Sequence, residues 1–154
     1  MEFGFVRNIF MAGLVAALLP TTLSGKGGVA YTRLQFLYSN NAGGWTIDKV
    51  TLSDTATVVS FSVRAKPYSW IQMASSTYLS DEKAVEYPVR KAVGLTLDEK
   101  FYMPKSGKTE FQLIFAPMPK DTKIFDMIEG DGRDMARWYG LHDAKSKVKM
   151  PVAR

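Results

Sequence analysis

A chain of 154 residues with 46% apolar and 12% aromatic side chains is sized for one domain and has the material for a core, which excludes global disorder. It contains no cysteine, which excludes thiolate nucleophiles, dithiol redox pairs, thiolate metal sites and disulfide staples. The formal net charge is +5, with the excess at the C-terminus, where Lys145, Lys147, Lys149 and Arg154 have only Asp143 nearby.

The amino terminus and Arg7 supply positive charge, Ile9 to Leu19 form an apolar run of 11 residues, and Pro20 ends it before Thr21, Thr22, Ser24 and Gly25. That order of charged, apolar and small residues predicts a secretory signal peptide over residues 1–25. The run is too short for a membrane span, which needs about 20 residues. Residues 26–44 read as an N-terminal strand and loop. Tyr31 to Tyr38 is the strand, with Leu34 and Phe36 on one face, and Ser39 to Gly44 is a loop by composition.

The main domain is expected over residues 45–142. Ile47 to Leu52 reads as a strand with Val50 and Leu52 on its apolar face, and Ser53-Asp54 as a tight turn. Thr55 to Val63 is the next strand, with Val59, Phe61 and Val63 inward and Val58, Ser60 and Ser62 outward. Lys66-Pro67 breaks it. Trp70 to Leu79 is predicted as a further strand, Ser80 to Lys83 as a hairpin tip, and Ala84 to Val89 as the return. Pro88 points to an edge position or a strand end, because proline has no N–H for a ladder. Val93 to Leu97 reads as a short strand and Met103 to Gly107 as a loop.

Phe111, Leu113 and Phe115 then alternate with Glu110, Gln112 and Ile114, the period of a strand with one face buried. Pro117 and Pro119 stop it. A second apolar run spans Ile124 to Ile128 and ends at Gly130. Asp134 to Leu141 suits a strand or a short helix carrying Met135, Trp138 and Tyr139. Residues 143–154 form a basic tail, read as a solvated terminus with no nucleic-acid partner. Roughly seven to nine short strands, with no helix required, predict an all-β fold: a single antiparallel immunoglobulin-like β-sandwich.

Several segments resemble one family. Asp48-Lys49-Val50, Asp54 to Val58, Thr77-Tyr78-Leu79, Tyr87-Pro88, Phe115-x-Pro117-x-Pro119 and Ile128-Glu129-Gly130-Asp131 are similar to the N-terminal β-sandwich accessory domain of secreted bacterial thioredoxin-like thiol–disulfide oxidoreductases. The resemblance implies a periplasmic or cell-envelope protein of a Gram-negative bacterium. It makes Asp134 to Leu141 the final strand and the domain an accessory scaffold that meets envelope proteins. The family's redox chemistry belongs to a following Cys-x-x-Cys domain. Thiol–disulfide exchange needs a thiolate, so a cysteine-free chain is expected to reduce insulin with dithiothreitol no faster than a protein-free blank. A rate above the blank that survives repurification overturns that expectation.

Chemistry-bearing residues are sparse. His142 is the only histidine, and its place past the last predicted strand reads as a solvated surface site. There is no G-x-S-x-G, no H-E-x-x-H and no phosphate-cradling glycine loop, so no enzyme is predicted and no cofactor is implied. Asp126, Glu129, Asp131 and Asp134 are weak calcium candidates, with Gly130 and Gly132 to let the loop bend, but Arg133 stands among them. The resemblance offers a structural account instead, with Gly130 at positive φ and Asp131 capping a turn. Among the aromatics, Tyr68 and Trp70 lie between strands and suit an exposed platform for stacking on sugars. Tyr87-Pro88 suits a strand edge that docks a protein partner. A non-catalytic exported protein-binding or scaffold module is therefore the first expectation, and a carbohydrate-binding module the alternative.

Overall fold

The computed structural model describes residues 28–146 and 148, and these form strands and turns only. The expected signal peptide lies outside the described residues, as do Lys147, Lys149 and the rest of the tail. Twelve strands follow one another: β1 Val29–Tyr31, β2 Leu34–Gln35, β3 Tyr38–Asn40, β4 Trp45–Leu52, β5 Thr57–Arg64, β6 Trp70–Ile71, β7 Tyr78–Asp81, β8 Glu86–Val93, β9 Phe101–Tyr102, β10 Lys108–Phe115, β11 Phe125–Ile128 and β12 Arg137–Asp143.

Ten of them form one antiparallel sheet in the order β1-β4-β5-β10-β8-β7-β11-β12-β2, with β3 also paired to β12; β6 and β9 make a separate pair. The all-β antiparallel expectation holds. The ladder does not divide into two independent sheets, because β8 serves both halves. Glu86 to Pro88 pair with β7, while Val89 and Lys91 to Val93 pair with β10. β1 and β2 are separated only by Thr32 and Arg33 yet sit at opposite ends of the strand order, so the N-terminal segment nearly closes the sheet on itself.

Alternation along β5 and β10 builds the core. Val59, Phe61 and Val63 lie opposite Leu113, Phe111 and Thr109 in register, and Val50 and Leu52 of β4 extend the same apolar face. Leu79, Phe125, Met127, Trp138 and Leu141, from the other half of the sheet, join them in one buried cluster. Phe61 stacks on Phe111 at 5.0 Å between centroids and meets Trp138 of β12 at 5.8 Å. Burial of these rings stabilises a core shared by both parts of the sheet.

Several sequence expectations are corrected. Val58, expected on the solvent face, is buried with Ala56 and Ile114 in a small second cluster outside the main core. The strand expected over Tyr31 to Tyr38 is broken into β1, β2 and β3 because the segment turns from one end of the sheet to the other. Trp70 to Leu79 is two strands on different sheets, β6 and β7. The stretch expected as a strand from Val93 to Leu97 contributes only Val93, since Gly94 leaves the ladder at φ 95°.

Pro88 is neither at an edge nor at a strand end. Val89 N–H donates to the Thr77 carbonyl on the β7 side, while the Pro88 carbonyl accepts from Ala116 N–H on the other side. The missing proline N–H therefore falls on the β10 side, where the register shifts between Ile114 and Phe115. His142 is not a surface residue either. It lies inside β12, 4% exposed, with Nδ1 at 2.8 Å from the Gly140 carbonyl oxygen and its backbone opposite Gln35. The final strand is a strand, as expected, but it runs on to Asp143 and pairs with β2, so His142 lies within the sheet rather than past its last strand.

Candidate functional site

β5, β8 and β10 meet at one end of the sheet, with Arg64 opposite Lys108 and Val93 opposite Gln112. The connections leaving that end carry β6 and β9. These strands have two residues each, and their register places Trp70 opposite Tyr102 and Ile71 opposite Phe101. Alternation does the rest. Ile71 is buried and Phe101 packs against the core, so Trp70 and Tyr102 must point outward; they are 51% and 65% exposed.

The pairing is extended by Met103 N–H donating to the Ser69 carbonyl at 2.7 Å and Tyr68 N–H donating to the Met103 carbonyl at 3.1 Å. Met103 itself is buried and anchors the segment. Lys66 to Ser69 form a turn, closed by Ser69 N–H on the Lys66 carbonyl and braced by Ser69 Oγ on the same oxygen. Pro67 takes the second position, which its fixed φ favours. Tyr68 takes the third at φ 63°, the left-handed region where glycine is the usual residue. Its side chain is 69% exposed. A bulky side chain held in that region is strained, and the strain brings a third ring to the surface beside the strand pair.

Lys100, two residues before Tyr102, sets its Nζ 4.7 Å from the centre of the Trp70 ring. The result is an outward pair, Trp70 and Tyr102, with one ammonium over the indole and Tyr68 exposed on the adjoining turn.

Of the residues singled out in the sequence, Trp70 is thus met by Tyr102 and Lys100, and Tyr68 stands exposed on the turn that leads into its strand. Nothing local to Tyr102 signals this, since it comes to Trp70 only by pairing across thirty-two positions of chain.

Tyr87 is elsewhere. It is half-buried on β8, and its hydroxyl donates to Asp81 Oδ2 at 2.7 Å. Loss of solvent, together with that bond, pushes its phenol up to about 12. It lines a groove of about 320 Å³ with Asp81, Glu82, Pro119 and Asp121, in which Asp81 and Glu82 are committed to backbone amides of Lys83, Val85, Lys123 and Ile124. The strand edge expected at Tyr87-Pro88 is occupied by β7.

Two of the four acidic candidates are committed to backbone amides and two are exposed. Glu129, 9% exposed, accepts from Ala136 N–H at 2.7 Å and from Ala74 N–H at 3.2 Å. Asp126 accepts from Gly140 N–H at 2.8 Å. Asp131 and Asp134 point to solvent. The Glu-Gly-Asp turn is tied by Arg137, whose Nη2 donates to the carbonyls of Gly130 and Gly132. Among the described residues no three histidine, aspartate or glutamate side chains are grouped to hold a metal ion.

Comparison with family models, with curated proteins and with solved structures finds no match to this chain.

Proposed function

We propose that this protein is a non-catalytic, exported binding module of the cell envelope that holds carbohydrate on the Tyr68, Trp70 and Tyr102 platform. The observation that carries the reading is the direct pairing of Trp70 with Tyr102, both rings outward, while Ile71 and Phe101 pin the strands from below. Aromatic faces of this kind present a rigid apolar surface with polar tips, suited to the C–H faces of sugar rings. The reading of a protein-docking edge at Tyr87-Pro88 loses its basis, because that edge is paired. A glycan array probed with the wild type and with Trp70→Ala tests the proposal. Loss of the indole is expected to weaken binding roughly tenfold while far-UV circular dichroism stays unchanged. Equal binding by both proteins overturns it.

Tyr68 offers a second test that separates function from folding. A non-glycine residue in the left-handed region costs about 1–2 kcal/mol, and glycine there removes the strain while adding unfolded-state entropy. Tyr68→Gly is therefore expected to leave stability unchanged or raise it by up to about 1 kcal/mol, yet to weaken glycan binding. Thermal melts beside the array check both halves. A variant that melts early and binds normally contradicts the assignment of Tyr68 to the site.

A further inference from the structure

We infer that the platform selects acidic glycans, those carrying carboxylate or sulfate groups, and that Lys100 is its charge-reading residue. The inference rests on the carbohydrate reading above and concerns the ligand's charge. Five cations, Arg64, Lys66, Lys100, Lys105 and Lys108, lie on the two segments that build the platform, against two acids, Asp98 and Glu99. Topology gathers them. Arg64 sits opposite Lys108, Ala65 N–H donates to the Gly107 carbonyl, and Gly107 lies against the Pro67 ring, so the turn carrying Lys66 abuts the loop carrying Lys105.

All five side chains are exposed, and none forms an ion pair among the described residues, where Lys120 with Asp54 is the ion pair formed. Of the two acids, Asp98 is turned away and accepts from Ser75 N–H at 2.8 Å. The balance on these segments is net positive, five cations against two acids, with Glu99 beside Lys100.

Lys100 gives the field a specific device. With no ligand, its ammonium rests over the Trp70 ring, where the indole quadrupole holds a cation only weakly at an exposed site. A carboxylate or sulfate is a stronger partner for the ammonium than a ring face. An acidic sugar therefore draws Lys100 off the indole as it arrives, and the uncovered ring face receives the sugar. A neutral sugar must displace the ammonium with nothing offered in return.

The rings and cations together would also suit a single-stranded nucleic acid or an anionic membrane. The exposed apolar groups of the platform are tyrosine and tryptophan, however, while the aliphatic side chains beside them, Ile71 and Leu97, are turned inward. Tyrosine and tryptophan suit the interfacial belt of a bilayer, but deeper insertion needs exposed aliphatic groups, and among the exposed large hydrophobic side chains these segments carry none. The three rings also stand as a pair plus one on a strand pair and a turn, a compact patch rather than a groove that tracks a charged backbone.

The test is a tryptophan-fluorescence titration with oligogalacturonate, its fully methyl-esterified neutral form, a single-stranded oligonucleotide and anionic lipid vesicles. The wild type is expected to bind the acidic oligosaccharide about tenfold or more tighter than the ester, with the difference shrinking as salt is raised. Lys100→Ala is expected to lose that preference and to bind the ester as well as or better than the wild type, because the ring is no longer covered. Lys100→Arg is expected to keep the preference. Equal binding of acid and ester by the wild type overturns the inference and leaves the carbohydrate reading standing. No binding of either oligosaccharide overturns the inference, with the glycan array left to judge the carbohydrate reading, and tighter binding of the oligonucleotide or the vesicles overturns the inference in favour of that partner.

Discussion

Trp138→Ala is expected to remove about 3–5 kcal/mol of folding stability, the range for deleting a large aromatic side chain from a packed core. Trp138 is 1% exposed on β12, and its ring meets Phe61 of β5 across the interior. Phe61 in turn stacks on Phe111 of β10, and Trp45 of β4 packs edge-on to both rings at 6.2 and 5.5 Å. Trp138 is thus the contribution of one half of the sheet to an aromatic cluster otherwise drawn from the other half. Removing it opens a cavity where the halves meet, and rigid strands close such a cavity poorly. With no disulfide to hold the halves together, and domain stabilities of about 5–15 kcal/mol, the variant should be marginal at 37 °C. Urea unfolding followed by circular dichroism measures the loss, and Trp138→Phe should recover part of it. A loss under about 1 kcal/mol would show that the halves are held by something other than this cluster.

Glu129→Ala is expected to cost about 2–4 kcal/mol without any loss of metal binding. The buried carboxylate satisfies two amides, Ala136 N–H on one oxygen and Ala74 N–H on the other. The Glu129 backbone adds its own N–H to the Ala136 carbonyl and accepts Ser76 Oγ at 2.7 Å. One residue therefore ties β11 to the approach of β12 and to the loop before β7. Hydrogen bonds to a charged acceptor contribute about 1.5–3 kcal/mol each, and truncation leaves buried donors without partners. Glu129→Gln should lose less, since the amide oxygen keeps one donor while its NH2 faces the other. Thermal melts with and without millimolar calcium separate this role from a ligand role. Equal midpoints with and without calcium are expected for the wild type; a calcium-dependent rise absent in Glu129→Ala would restore the calcium reading.

The same residues show how much could be read from sequence. β5 and β10 were legible because eight residues at period two, bounded by Arg64 and by Pro117, leave a pattern that only a half-buried strand explains. The core face followed from that pattern, but Val58 and Ile114, both placed on the outer face, are buried. They cluster there with Ala56, and period says nothing about a second layer. Glu129 reads in sequence as an exposed acid near other acids, because charge alone does not reveal which backbone amides face it.

The candidate site was half legible. Tyr68 and Trp70 stood out because Pro67 interrupts a strand and leaves aromatics in a connection, where burial is not enforced. Tyr102 and Lys100 did not, because a two-residue strand has no period to detect and its partner lies in another part of the chain. His142 and Pro88 failed for a related reason: the first lies in a strand extended by pairing with β2, and the place of the second comes from a strand shared by both halves.

By itself, then, the sequence determined that this protein is an all-β, cysteine-free chain, and where β4, β5 and β10 and their core-facing sides run. Those properties are local, set by side-chain alternation, proline and glycine breaks, and composition. Only the tertiary structure decided that one sheet nearly closes on its N-terminal segment, that Asp126 and Glu129 serve backbone amides, and that Tyr102 and Lys100 come to Trp70. Each of these depends on residues distant in the chain meeting, and the strand order that brings them together is set by packing of the whole core.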